Sequence, residues 1–104
     1  MEAILNTLIE QYKEDILKEI QNLIKVPSVI HMESAEEGAP FGREIRTALD
    51  KVMDLSQNLG FEVRDYDGYA ASVRFGDAGK EIGILSHIDV VPPGNGWSRP
   101  PFEP

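Results

Sequence analysis

The chain has 104 residues, enough for one domain at most, and its 41% hydrophobic and 27% charged residues fit a folded globular chain rather than a disordered one. Its formal net charge is -8, with 18 acidic against 10 basic residues, and the nearest thing to a basic cluster is Arg43 with Arg46 inside a helical pattern. That balance argues against nucleic acid and against an anionic membrane surface, both of which are bound through concentrated positive charge. There is no Cys, so neither a disulfide framework nor a thiolate metal site is available, which suits a reducing, cytoplasmic setting. The N-terminus "MEAILNTLIEQYKED" is acidic and amphipathic, unlike a secretory signal, and no run of 18 apolar residues exists to span a bilayer.

Residues 4–24 read as a helix. Leu5, Leu8, Ile9, Tyr12, Ile16, Ile20, Leu23 and Ile24 recur at steps of three and four, and Val26-Pro27 ends the run because the residue before proline avoids the α region. Residues 28–40, "SVIHMESAEEGAP", have no sustained period and read as a long loop. Residues 41–59 give a second helix on Phe41, Ile45, Ala48, Leu49, Val52, Met53 and Leu59, with Pro40 before it and Gly60 at the C-terminal capping position. The period then changes to two. "FEVRDY" (61–66) and "YAASVRF" (69–75) alternate across Asp67-Gly68, a two-residue hairpin signal. "EIGILSH" (81–87) is almost wholly apolar, the pattern of a strand covered on both faces. The expected fold class is α/β, with two helices followed by a three-stranded, mostly antiparallel meander. Two helices and two other strands cannot cover the third strand, so residues 1–104 read as the beginning of a larger α/β domain.

The chemistry-bearing residues lie at the end of that third strand. His87 and Asp89 are two apart, which places both on one face of an extended chain, and strand C-termini are where open α/β sheets bind ligands. An imidazole there can give one nitrogen to a metal while a carboxylate accepts from the other. His-x-Asp alone does not separate a ligand pair from an ordinary surface pair. Pro92, Pro93 and Gly94 then turn the chain, and Trp97 and Phe102 can equally serve as core cover. His31, the other histidine, sits in a polar loop without partners at metal-binding spacing and reads as a solvated surface residue. Glu33, Glu36 and Glu37 in the same loop carry no metal-binding pattern either.

The longer segment "SHIDVVPPGNGWSRPPFEP" resembles the first metal motif of the dinuclear zinc exopeptidases of clan MH, metallopeptidase family twenty. In that family an apolar strand ends in His-x-Asp followed by Val-Pro, Gly, Trp and Pro-Phe. Here these are His87, Asp89, Val91-Pro92, Gly94, Trp97 and Pro101-Phe102, and eight matches at roughly 5% each make coincidence negligible. "IKVPSV" (24–29) is similar to the family's segment after its first helix. "APFGREIRTALDKVMDLSQNLGFEV" and "DGYAASVRFG" are similar to the bacterial carnosinase-like (Xaa-His) dipeptidases.

The resemblance implies that residues 1–104 are the N-terminal part of a three-layer α/β/α catalytic domain whose remainder, with a lid domain, lies outside this stretch. It implies two zinc ions in the full-length parent, His87 as a ligand to one of them, and Asp89 as the catalytic-site carboxylate that orients it. It implies a small peptide substrate cleaved by metal-activated water, and leaves the 104-residue chain by itself inactive. A deacylase, desuccinylase or carboxypeptidase of the same family is the nearest alternative activity. A non-enzymatic α/β module that pairs through a sheet edge is the alternative of another class. An uncovered edge and face at 81–87 also lead to the expectation of a homo-oligomer.

Overall fold

The computed structural model describes residues 1–104. Helix α1 runs Glu2–Ile24 and helix α2 Arg43–Asn58, with a single 3-10 turn, Met32–Ser34, in the loop between them. Strands β1 (Glu62–Asp65) and β2 (Ala71–Arg74) follow as one antiparallel pair, in register Glu62↔Arg74, Val63↔Val73, Arg64↔Ser72 and Asp65↔Ala71. Both predicted helices are present within two residues of their expected ends.

The core is small and is centred on α2. Ile45, Ala48, Leu49 and Met53 form its buried stripe, joined by Val26 and Ala39 from the loop on either side of the 3-10 turn. The predicted cap at Gly60 is made: at φ +88° it lets its own N–H reach the Gln57 carbonyl and the Phe61 N–H reach that of Ser56. This pair of bonds is the Schellman arrangement, which satisfies two carbonyls that the helix end leaves open. At the other end, the Ser34 hydroxyl accepts the Arg43 N–H at 3.1 Å, so the 3-10 turn caps α2 from nine residues away. The apolar stripe of α1 is real in sequence but only its C-terminal end is covered: no residue of α1 is fully buried, and Leu23 is half-buried. Helix α1 meets α2 along a shallow groove lined by Glu19, Asn22 and Leu23 of the first and Val52 and Leu55 of the second.

Asp67 and Gly68 turn the hairpin with φ of +56° and +77°, the signs a type I′ turn requires. The loop is nevertheless three residues long rather than the two expected. Tyr66 accepts from the Tyr69 N–H and donates to the Ala70 carbonyl, so Tyr69 is an extra residue in the return strand. Its ring stands edge-on to Phe41, 5.7 Å between centroids, which draws it out of the ladder. The predicted third strand is a correction. Residues 81–87 form no regular element and pair with nothing, and the sheet has two strands. A strand exists through its ladder, and here the only backbone bond that the following residues make to the rest of the fold goes to Ser28, in the loop after α1, instead of to the free edge of β2.

Candidate active-site segment

Residues 81–102 contain the predicted site. Ile82, Ile84 and Leu85 stand 91%, 92% and 100% exposed, so the apolar run that leads into His87 lies open. Beyond it, the Trp97 indole N–H donates to the Pro93 carbonyl at 2.8 Å and closes the Pro92-Pro93-Gly94 turn, while Pro101 and Phe102 are half-buried.

The structure brings His87 and Asp89 together without a sheet to hold them. His87 Nδ1 lies 3.2 Å from Asp89 Oδ1 and 3.0 Å from the Asp89 backbone carbonyl. Both oxygens can only accept, so a neutral imidazole must carry its proton on Nδ1 and leave the Nε2 lone pair free. That is the orientation a metal-binding histidine needs from its carboxylate partner. The two side chains are 82% and 59% exposed, so nothing yet shields the pair from water.

One imidazole with one carboxylate behind it supplies a single ligand position. No three His, Asp or Glu side chains converge anywhere in the chain to hold a metal ion, whereas a catalytic zinc takes three protein ligands. The donor set therefore fits one ligand of a zinc site and not a whole one. His31 is placed as expected, exposed on the loop, with Nδ1 3.1 Å from the Ser34 hydroxyl and Nε2 3.8 Å from Glu33. Glu36 lies 3.7 Å from Arg43 on the same surface.

Two features escaped the sequence. Arg46 binds Asp65 at 2.6 Å, Asp50 at 2.6 Å and the Gly38 carbonyl at 3.1 Å, tying α2 to β1 and to the preceding loop. Asp65 in turn accepts the Gly68 N–H at 2.9 Å. The Gly68 N–H, and after it the Arg46 guanidinium, hold the Asp65 carboxyl below its ordinary pKa; Asp65, then Asp50, raise that of Arg46. The spacing of Arg46 and Asp50 was a signal for one arm of this cluster, but nothing local marks Asp65 as a partner. The second is Ser28, a buried polar residue in the apolar stretch "VPSVI", whose contacts are described below.

No family model matches the chain. Among curated proteins it is 37% identical over 90 residues to "Putative dipeptidase YtjP" of Bacillus subtilis, a match covering 86% of this chain and 19% of that protein. It is 38% identical over 96 residues to "Beta-Ala-Xaa dipeptidase" of Lactobacillus delbrueckii subsp. lactis, covering 92% of this chain and 20% of the relative. A Staphylococcus aureus (strain USA300) protein, also named "Putative dipeptidase", matches with the same identity and coverage. The chain spans about a fifth of the length of these bacterial proteins named as dipeptidases and is similar to them over nearly all of its own residues.

Proposed function

We propose that the chain is part of the catalytic domain of a zinc-dependent dipeptidase, in which His87 is a zinc ligand and Asp89 the carboxylate that orients it. The observation that carries this reading is the His87–Asp89 contact: Nδ1 is engaged by acceptors, which leaves the Nε2 lone pair free, inside a segment similar to the family's first metal motif. The names of the relatives support peptide hydrolysis as the activity of the longer protein. Bound zinc supplies an activated water and positive charge against a developing oxyanion. This chain's own part is to hold one imidazole in the correct tautomer; the other ligands and the general base belong to the rest of the parent's catalytic domain.

The substrate class is a small peptide, and the name of the Lactobacillus relative makes β-Ala-initiated dipeptides the first to try. A deacylase, desuccinylase or carboxypeptidase activity would use the same ligand pair on another amide. The 104 residues by themselves are inert, because they supply one ligand where three are needed. A chain without Cys suits the cytoplasm, and no helix is long and apolar enough to cross a membrane.

The test is His87→Ala in the complete dipeptidase, with bound zinc measured by elemental analysis and hydrolysis of a β-Ala dipeptide measured alongside. Zinc content falls and activity is nearly abolished if the reading holds. A variant that keeps two zinc ions and full activity overturns it.

A further inference from the structure

Residues 76–104 are joined to residues 1–75 by two hydrogen bonds, and both end on Ser28. Its hydroxyl donates to the Ile88 carbonyl at 2.8 Å, and its own carbonyl accepts the Val90 N–H at 3.0 Å. The remaining polar link is an ion pair between exposed side chains, Arg74 and Glu81, at 3.8 Å. Ser28 is itself only 5% exposed.

The arrangement has the form of a one-residue parallel β-bridge centred on Asp89. In such a bridge one residue of the first strand accepts from the N–H after its partner and donates to the carbonyl before it. Ser28 does both, but its own N–H is already given to the Val26 carbonyl at 2.8 Å, and the hydroxyl takes its place as donor. The backbone is therefore gripped on either side of Asp89, while the neighbouring Ile82, Ile84 and Leu85 touch almost nothing. Ile88, between His87 and Asp89, is half-buried, and no other hydrogen bond from residues 1–75 reaches the His87–Asp89 segment.

We propose that Ser28 is a positioning residue for the His87–Asp89 pair, acting by clamping the Ile88 carbonyl and the Val90 N–H on both sides of Asp89. The proposal rests on the ligand reading of His87 given above. Ser28→Ala keeps the backbone bond to Val90 and loses the donor to Ile88, so the peptide between His87 and Asp89 is free to tilt. Loss of an outer contact that orients a ligand typically costs 10- to 100-fold in metal affinity or activity, and this one acts through one further step, so about tenfold is expected.

The experiment compares wild type, Ser28→Ala, Ser28→Thr and His87→Ala in the complete dipeptidase. Zinc affinity is read by competition with a chromophoric chelator, kcat and KM with a β-Ala dipeptide, and the melting midpoint on metal-free protein. Ser28→Ala should lose about tenfold in zinc affinity and in kcat, with KM unchanged, and Ser28→Thr, which keeps the donor, should recover most of both. If the added methyl prevents Ser28→Thr from folding, the zinc affinity of Ser28→Ala decides alone. Wild-type zinc affinity in Ser28→Ala, while His87→Ala has lost its zinc, refutes the positioning role and leaves the ligand reading standing. A deficit in Ser28→Ala that disappears when each protein is assayed equally far below its own melting midpoint also refutes it, because the role is then structural only. Unchanged zinc binding in His87→Ala refutes the ligand reading and this proposal with it.

Discussion

Gly68 is the position where one added carbon should do the most damage. It has φ +77°, and a Cβ built on it would lie 2.0 Å from the Gly38 carbonyl oxygen, 2.6 Å from the Gly38 carbonyl carbon and 3.0 Å from Pro40 Cδ. Two of these are backbone atoms, so the hairpin or the loop beneath it must move. The left-handed conformation costs a non-glycine residue about 1–2 kcal/mol, and overpacking of this kind about 1–3 more. Together these take about 2–5 kcal/mol from a total stability of about 5–15. For a chain of this length, that lowers the thermal midpoint of Gly68→Ala by about 10 °C or more. Gly76→Ala is the control. Gly76 also has positive φ, +81°, but a Cβ there meets nothing within 4 Å, so only the conformational cost applies. Melts of the two variants followed by circular dichroism separate the terms. Equal midpoints for Gly68→Ala and Gly76→Ala would refute the claim that the hairpin turn is seated on the Gly38–Pro40 loop. Gly68→Val should be worse again, because branching at Cβ adds a further atom to the same space.

Asp65→Asn should flatten the acid side of the stability curve. The native carboxyl has a lowered pKa, so its contribution is complete above the ordinary carboxylate value and is lost as pH falls below about 4 through the native value. Midpoints of wild type and variant measured down this range should converge, and parallel curves would mean that the Arg46–Asp65–Gly68 cluster is not linked to folding. In the complete dipeptidase, Asp89→Asn should reduce zinc affinity or activity by about 10- to 100-fold, a milder effect than His87→Ala; a neutral result would show that the carboxylate charge is not needed. Calorimetric titration of the 104-residue chain with zinc should show no tight stoichiometric site, and such a site would mean that further ligands exist within residues 1–104.

What the sequence revealed was decided by neighbours in the chain. The stripe of α2, the Schellman end at Gly60 and the positive-φ pair at Asp67-Gly68 each depend on residues within about one helical turn, and all three are present. The apolar period of α1 was equally plain, but period fixes which face is apolar and not whether anything covers it. The third strand failed for a related reason. Apolar composition at 81–87 marks a segment suited to a ladder, and the ladder needs a second backbone that these residues do not meet. Tyr69 was missed as an extra loop residue because its partner, Phe41, is far away along the chain. The links Arg46–Asp65 and Ser28–Ile88, 19 and 60 residues apart, carry no local pattern. His87 and Asp89 could be singled out as candidates because their chemistry is compressed into three residues and their flanking motif is long. Ser28, which grips the peptides on both sides of Asp89, left no such trace.

The uncovered surface has a consequence for the 104-residue chain in solution. Ile82, Ile84 and Leu85 are more than nine-tenths exposed, and Leu5, Ile9 and Tyr12 of α1 are half or more exposed. Fully burying an aliphatic side chain returns about 1.5–3 kcal/mol, so covering the three residues of 82–85 in both copies of a pair yields about 9–18 kcal/mol. Association costs about 4–15 kcal/mol in lost freedom and ordering. Gain less cost runs from about -6 to about +14 kcal/mol, so the 82–85 segment alone lies around the threshold for a stable dimer and cover for the α1 stripe adds to it. The arrangement with fewest uncovered groups is a two-fold pair in which the same segments meet and the free backbone edge at 81–87 gains a partner. Light scattering over a range of concentrations should therefore show a mass that rises from one chain toward two. Leu85→Lys, which changes a fully exposed residue with no contact in the monomer, should return it to one chain without lowering the midpoint of the monomer. A wild-type chain that stays monomeric at every concentration would refute the association, and a Leu85→Lys chain that still dimerises would place the contact away from residues 82–85.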